Sequence, residues 1–233
     1  MKISLLALVL FSSLVFNSCA PFYIPNAPMV FNHEEQGDAT INFRQGTYSS
    51  NLQAGYAITD NVNVGLIANS LYTGEATVAG NVYDGTDAKE INLVGGYYNK
   101  ISATNIFELN VGIGAVKMNY PQNISNYYNG FLQPTLTFAS LNNHTKLSVA
   151  PRLKGLVFGR FDGTKDTAVY QGFIEPILSL STGERIHFLV QAGFSARLQQ
   201  ELIYDYSPFI FNIGVGYTFK PKKTDIIEPS ASF

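Results

Sequence analysis

The sequence has no tryptophan, a single cysteine and few charged side chains. Charged residues make up 14% of its 233 residues, well below the roughly 25% that is usual for soluble domains. A lone cysteine excludes an internal disulfide. The formal net charge of −2 argues against nucleic acid as a partner, because proteins that bind nucleic acid carry basic patches or stripes.

Long apolar runs are also missing, apart from one at the N-terminus. The stretch MKISLLALVLFSSLVFNSC combines one lysine with a short apolar core and then small residues, which indicates a secretory signal peptide over residues 1–18. No later segment reaches the roughly 18 apolar residues that a spanning helix needs. If the rest of the chain crosses a membrane, it must do so as a closed β-barrel.

Cys19 follows this signal directly. The stretch FNSC at 16–19 resembles a bacterial lipobox, whose cysteine is lipidated and becomes the first residue after cleavage. The alternative is ordinary cleavage after Ala20, with Ser18 and Ala20 as the small pair. Pro21 would then follow the cut, which that peptidase tolerates poorly. We therefore expect a lipid anchor at Cys19.

The remaining chain is patterned as strands. In FIFNIGVGYTF (209–219), large apolar residues alternate with small or polar ones, and a period of two is typical of a β-strand with two different faces. About ten such segments occur within 39–219. They predict an all-β fold, a transmembrane antiparallel up-and-down β-barrel of about ten strands, with eight or twelve as alternatives. Residues 19–38 are expected to form a lipid-anchored periplasmic tether, and 220–233 a flexible periplasmic tail.

The face opposite the large apolar residues carries charges and many glycines. Glycine weakens a strand that is exposed to water, whereas inside a narrow barrel it leaves room for bulky neighbours. A soluble sandwich therefore fits this face less well than a barrel whose apolar side chains point into lipid. The predicted lumen-lining residues are Arg44, Glu90, Glu108, Lys146, Arg152, Lys154, Glu175, His187 and Arg197.

The connections between the predicted strands give an independent test. Short connections, such as TDN, LNNH and STGE, alternate with long ones, such as TGEATVAGNVYDGTDAK. QGTYSS is the one short connection at a position where a long one is expected. With ten strands, the short connections lie at the same end of the barrel as its first and last residues. Outer-membrane barrels have short periplasmic turns and longer external loops, so this sorting favours the barrel over a sandwich.

Two stretches resemble known proteins. NIGVGYTF, with Gly214, Gly216, Tyr217 and Phe219, resembles the C-terminal assembly signal of bacterial outer-membrane proteins, although residues 220–233 follow it. CAPFYIPNAP and NLQAGYAITDNVNVGL are similar to a group of Bacteroidota outer-membrane barrel lipoproteins whose function is not established. The resemblance implies a Gram-negative cell envelope, an outer-membrane location with lipid contacts, and recognition by the barrel-assembly machinery.

Catalytic or metal-binding chemistry has little support in the sequence. Barrel enzymes need a constellation of catalytic side chains near the outer rim, and the three histidines are expected elsewhere. His33 lies in the predicted tether, His144 in a periplasmic turn and His187 inside the lumen. The stretch HEE at 33–35 lacks the further ligands that a transition metal needs. We expect no enzyme, no metal and no cofactor.

The expected function depends on what fills the lumen. The inward charges give a mildly positive interior, and inward Tyr98, Phe131 and Phe173 take up more of the space in a barrel of this size. We therefore expect a plugged barrel with a structural or interaction role and with envelope proteins as partners. A narrow pore for small or hydrophobic solutes is the first alternative. An outer-membrane enzyme that acts on lipid or protein is the second.

Overall fold

The computed structural model describes residues 23–72, 76–78, 81–83, 87–119, 126–142, 144–161, 166–199 and 207–221. The predicted signal peptide, Cys19 and residues 222–233 lie outside the described residues. No helix in the described part is long and apolar enough to cross a membrane. The strands are β1 (Ala39–Gly46), β2 (Ser49–Ala57), β3 (Val62–Tyr72), β4 (Ala76–Val78), β5 (Asn81–Tyr83), β6 (Asp87–Lys100), β7 (Asn105–Asn119), β8 (Asn126–Ala139), β9 (Thr145–Val149), β10 (Arg152–Phe161), β11 (Asp166–Glu175), β12 (Ile177–Thr182), β13 (Ile186–Phe194), β14 (Ala196–Arg197) and β15 (Phe209–Phe219).

These strands form a closed antiparallel barrel with a wall of ten strands. The wall closes where β15 pairs with β1, with Ala39 opposite Phe219. Three wall strands are each built from two pieces, namely β9 with β10, β11 with β12, and β13 with β14. The all-β fold and the ten-strand wall confirm the sequence prediction. The pair β4 and β5 forms a separate hairpin within a connection that the sequence analysis interpreted as a loop.

The interruptions in the three divided wall strands lie side by side. Pro151 and Pro176 have no backbone N–H to donate, so the ladder stops at each of them. Hydrogen bonds across the breaks keep the wall together. The N–H of Ala150 donates to the carbonyl of Ile177 at 2.8 Å, and the N–H of Phe194 donates to the carbonyl of Pro176 at 3.3 Å.

The two faces of the wall have opposite character, as the alternation in the sequence predicts. Inward positions are mostly polar and buried, and outward positions carry large apolar side chains that are left exposed. The outward set includes Ile41, Phe43, Leu93, Ile113, Leu132, Leu178, Phe188, Phe211 and Ile213. This arrangement is the reverse of a soluble sheet, in which the large apolar side chains are enclosed.

The connections divide the barrel into two ends. The turn end holds the connections at 58–61, 101–104, 140–144 and 183–185, together with the start of β1 and the end of β15. The long-loop end holds the other connections, of which those at 47–48 and 162–165 are as short as the turns. The longest connections, at 73–86 and 198–208, lie at this end as the sequence predicts, but length separates the two ends less strictly than expected, because only four residues separate β10 from β11.

Inward glycines make room for large rings, and this packing can be tested. A Cβ at Gly112 would lie 2.2 Å from the ring of Phe131, whereas a Cβ at the outward-facing Gly95 would meet nothing within 4 Å. We expect Gly112→Ala to lower the free energy of unfolding by about 1–3 kcal/mol, because it overpacks a filled interior. Gly95→Ala, the matched control, should change it by no more than about 1 kcal/mol. Urea unfolding in lipid vesicles measures both, and equal effects would contradict the packing.

Candidate functional site

Residues 23–33, which we call the lumen segment, run through the interior of the barrel. At the long-loop end, the backbone N–H of Ser207 donates to the carbonyl of Tyr23 at 2.9 Å. Towards the turn end, the backbone N–H of Asn32 donates to Oε1 of Glu108 at 3.0 Å. Every residue of the segment except Asn32 is buried. The interior of the barrel, with this segment inside it, is the candidate functional site.

For residues 23–33, this position corrects the expectation of a lipid-anchored periplasmic tether over 19–38. The sequence analysis gave weight to the proline and asparagine content and to the missing strand period. The signal that it missed is apolar content, since a tether in water gains nothing from large apolar side chains. The segment carries five of them: Tyr23, Ile24, Met29, Val30 and Phe31.

A buried ion pair binds the lumen segment near the long-loop end. Arg152 of β10 and Glu175 of β11 are fully buried, with nitrogen and oxygen 2.6 Å apart. The hydroxyl of Tyr23 donates to the same carboxylate at 2.6 Å, and Arg152 donates to the carbonyl of Asn26 at 2.8 Å. Removing one member of such a pair leaves an uncompensated buried charge, which costs about 3–5 kcal/mol. The segment therefore helps to stabilise both charges.

Glu90 is the centre of a second buried cluster. Nζ of Lys154 lies 3.1 Å from Oε1 of Glu90, and the side-chain amide of Asn26 donates to the same oxygen at 3.1 Å. Three amides from the wall complete the set of donors at 2.8, 3.0 and 2.9 Å, those of Asn69, Asn92 and Asn129. Asn26 thus connects the two clusters, through its carbonyl to Arg152 and through its amide to Glu90.

Wall side chains also bind the backbone of the lumen segment. The side-chain amide of Gln133 accepts from the N–H of Met29 at 3.3 Å and donates to the carbonyl of Met29. Arg44 donates to the carbonyl of Pro28 and to Oε1 of Gln191 at 3.2 Å. These side chains supply the partners that a neighbouring strand would otherwise give to buried backbone groups.

Apolar packing fixes the middle of the lumen segment. Met29 and Phe31 lie in one cluster with three wall residues, Ile67, Val94 and Phe131. The ring of Phe31 covers two inward glycines of β2 and β3, where an added Cβ would lie 2.4 Å from the ring at Gly55 and 2.8 Å from it at Gly65. The glycines of these strands therefore provide the space that the ring occupies.

Glu34 ties the turn end of the lumen segment to the rim of the barrel. Its carboxylate lies 3.2 Å from Nζ of Lys100, 3.0 Å from Nζ of Lys146 and 3.7 Å from Nζ of Lys220. Burial alone would raise the pKa of Glu34, but the three ammonium groups outweigh burial and lower the pKa to about 2. The carboxylate is therefore ionised at neutral pH and holds three parts of the rim together.

The structure brings most of the predicted lumen residues together. Six of them are fully buried in the interior: Arg44, Glu90, Glu108, Arg152, Lys154 and Glu175. Three of these six are basic and three are acidic. The inward rings of Tyr98, Phe131 and Phe173 are buried as well.

The other three predicted lumen residues lie nearer the ends. Lys146 is at the turn end, with a side chain 15% exposed, and His187 is partly buried, with Nε2 2.9 Å from Oδ1 of Asn42. Arg197 is opposite the inward Phe173 in the pairing of β11 with β14, so it is on the inward face as predicted. It is nevertheless exposed, because the short β14 lies at the long-loop end of its wall strand.

The predicted assembly signal lies at the seam that closes the barrel. Gly214 and Gly216 are opposite Arg44 and Asn42 of β1. Tyr217 and Phe219 face outward at the turn end, with ring centroids 4.4 Å apart. Cys19, the predicted lipidation site, lies outside the described residues.

His33 is enclosed by rings. Its imidazole centroid is 5.1 Å from that of Phe31 in a stacked arrangement and 6.0 Å from that of Tyr98. The part of the chain that the structure describes contains no group of three or more His, Cys, Asp or Glu side chains that could hold a metal ion. His33 therefore acts here as a packing residue between the lumen segment and the wall.

Comparisons with known proteins concern the fold. No protein-family model matches the chain, and neither does any curated protein. Among solved structures, the N-terminal β-barrel domain of Pseudomonas aeruginosa OprF matches 79% of this chain and 98% of its own, at 11% identity and a TM-score of 0.38. The translocator domain of the autotransporter NalP from Neisseria meningitidis matches 81% of this chain and 91% of its own, at 10% identity and a TM-score of 0.46. The β-domain of the Bordetella autotransporter Brka matches 78% of this chain and 99% of its own, at 13% identity and a TM-score of 0.41.

The contacts of Glu34 predict a pH dependence. A pKa lowered from 4.5 to about 2 stabilises the folded state above pH 4.5, and this stabilisation is lost as the pH falls towards 2. We expect Glu34→Gln to reduce the free energy of unfolding at pH 7 by up to about 3 kcal/mol, and the difference from the unmodified protein should close between pH 4.5 and 2.

The measurement is urea unfolding in vesicles across that pH range. Glu184→Gln is the matched control, because Glu184 is an exposed carboxylate at the same end, 3.6 Å from His144. An exposed pair of this kind contributes no more than about 1 kcal/mol. A difference between Glu34→Gln and the unmodified protein that stays constant from pH 7 to 2 would show that the lysines do not act on Glu34.

Proposed function

We propose that this protein is an outer-membrane β-barrel with a structural or interaction role, whose lumen is closed to solutes by its own N-terminal segment. The observation that carries the proposal is the lumen segment, which wall side chains bind from Tyr23 at the long-loop end to Asn32 towards the turn end. A segment that is bound along the whole length of the interior leaves little room for the passage of solutes, since side chains already fill small barrels.

The outward face supports a membrane location. Among the outward positions whose side chains the structure describes, the charged ones are Asp87, Lys89 and Lys117. All three lie at the long-loop ends of β6 and β7, and Lys89 is directly opposite Lys117. Between these residues and the turn end, the outward face is uncharged, as the apolar band of a transmembrane barrel must be.

Aromatic side chains support the same location. Outer-membrane barrels carry girdles of aromatic residues at both interfaces. Tyr56, Tyr97, Tyr217 and Phe219 are exposed near the turn end, and Tyr72 is exposed near the long-loop end. We assign the turn end to the periplasm and the long-loop end to the outside, because external loops are the longer ones in such barrels.

The proposal includes a lipid anchor at Cys19 and recognition of β15 by the barrel-assembly machinery. Surrounding lipid is the partner of the apolar band, and envelope proteins are the expected partners of the long loops. No catalytic step is proposed. In support, His33 is enclosed by rings, His144 lies in a turn, and His187 is within hydrogen-bonding distance of Asn42.

One observation favours a narrow pore as the second candidate. The side-chain amides of Asn63 and Asn110, inward and fully buried, have no hydrogen-bond partner among the described residues. Buried polar groups are normally satisfied by protein or by water, so these amides favour water inside the turn-end half of the lumen. A continuous file of such water would conduct ions.

Ion conductance in planar bilayers separates the two candidates. We expect the unmodified protein to give no unitary current steps. A variant whose residues 23–33 are replaced by Gly and Ser at the same length should give them, because it keeps the chain path but loses the contacts with Glu90 and Glu175. Leu178→Ala, an outward substitution, is the control and should behave like the unmodified protein. Steady unitary steps from the unmodified protein, unchanged by the replacement, would contradict closure and support the pore.

A further inference from the structure

The direction of the lumen segment fixes where the preceding chain leaves the barrel. Tyr23 lies at the long-loop end, where its carbonyl accepts from the N–H of Ser207 at 2.9 Å. Its ring stacks on that of Phe173, with centroids 4.5 Å apart. Tyr48, from the short connection between β1 and β2, packs against the buried apolar cluster that contains Tyr23 and Phe173. All three of these neighbours belong to the long-loop half of the barrel.

The other end of the segment lies at the opposite rim. Glu34 contacts Lys100, the last residue of β6, and Lys220, just after β15. The N–H of Gly37 donates to the carbonyl of Ala57 at 2.9 Å, and β1 then starts at the turn end. Between Tyr23 and Glu34 the chain therefore crosses the barrel once, from the long-loop end to the turn end.

A return of the upstream chain to the turn end is excluded by reach and by space. The four residues from Cys19 to Tyr23 span at most about 14 Å, whereas the apolar band of a transmembrane barrel is about 25 Å tall. The interior is also occupied, because the lumen segment packs against Ile67, Val94 and Phe131 from the wall. A second passage would have to displace the first.

We propose that the chain before Tyr23, with Cys19, lies on the outer surface of the cell, and that the acyl chains on Cys19 enter the outer leaflet beside the barrel. This inference rests on the proposed function, which supplies the membrane and the orientation. It makes the protein a surface lipoprotein whose own barrel carries its N-terminal segment across the membrane. The lipid anchor and the long loops then lie on the outer side of the membrane, and the short turns and the end of β15 lie in the periplasm.

Whole-cell labelling of tagged variants of the full chain tests this topology. One short epitope tag is inserted between Ala20 and Pro21, which preserves the lipobox. The same tag is inserted between residues 79 and 80, in the connection that joins β3 to β6, and after Phe233. Antibody binding is compared in intact and in permeabilised cells. The heat-dependent mobility shift of each variant on gels checks that its barrel is folded.

We expect the tags at 20 and at 79 to be labelled on intact cells and the tag after Phe233 only after permeabilisation. Labelling at 79 on intact cells, with the tag at 20 labelled only after permeabilisation, would overturn the inference and leave the proposed function in place. A tag at 79 that stays hidden on intact cells, or a protein absent from the outer-membrane fraction, would overturn the proposed orientation or location and the inference with it.

Discussion

A charge enclosed in a narrow barrel has to find its partners inside the barrel, and much of this structure follows from that constraint. Burying an ionised group without partners is far more costly than folding can tolerate, so enclosed charges are paired and hydrogen-bonded. Glu90 and Glu175 each gather donors from the wall and from the lumen segment. Asn26 donates to Glu90 and accepts from Arg152, the partner of Glu175. Wall and segment therefore depend on one another, and neither half satisfies the interior alone.

The outward face shows the other half of the same arrangement. Large apolar side chains would be a liability on a soluble sheet of this extent, because exposed apolar patches promote association. In hydrocarbon they need no cover, and the closed wall leaves no unpaired strand edge. Glycines on the inward face, such as Gly55 under the ring of Phe31, then allow a whole extended segment to fit where side chains alone would leave gaps or clash.

The wall of the barrel could be predicted from the sequence because strand alternation is a local signal. In β15, Phe211 and Ile213 face outward while Asn212 faces inward, as their parity indicates. The same rule placed Glu90 and Lys154 inside. It also holds past the interruption at Ser195, where Arg197 is opposite the inward Phe173, but parity does not show how deeply a side chain is enclosed, and Arg197 is exposed.

The lumen segment was out of reach for a related reason. Its conformation is set by residues far away in the chain, such as Gln133 and Glu175, which supply hydrogen bonds that no local pattern encodes. Prolines at 25 and 28 also remove the strand period that would have marked it. The hairpin β4–β5 was missed inside a long connection, since its two strands are only three residues each.

Hydrogen exchange at the lumen segment tests the central claim most directly. In the folded protein in lipid vesicles, the amides of Met29 and Asn32 donate to buried wall side chains. Mass spectrometry of a peptide that covers residues 24–33 should therefore show protection close to that of β15, since such amides exchange only when the structure opens. Exchange of this peptide at the rate of an unstructured chain, with β15 still protected, would show that the segment does not lie inside the barrel.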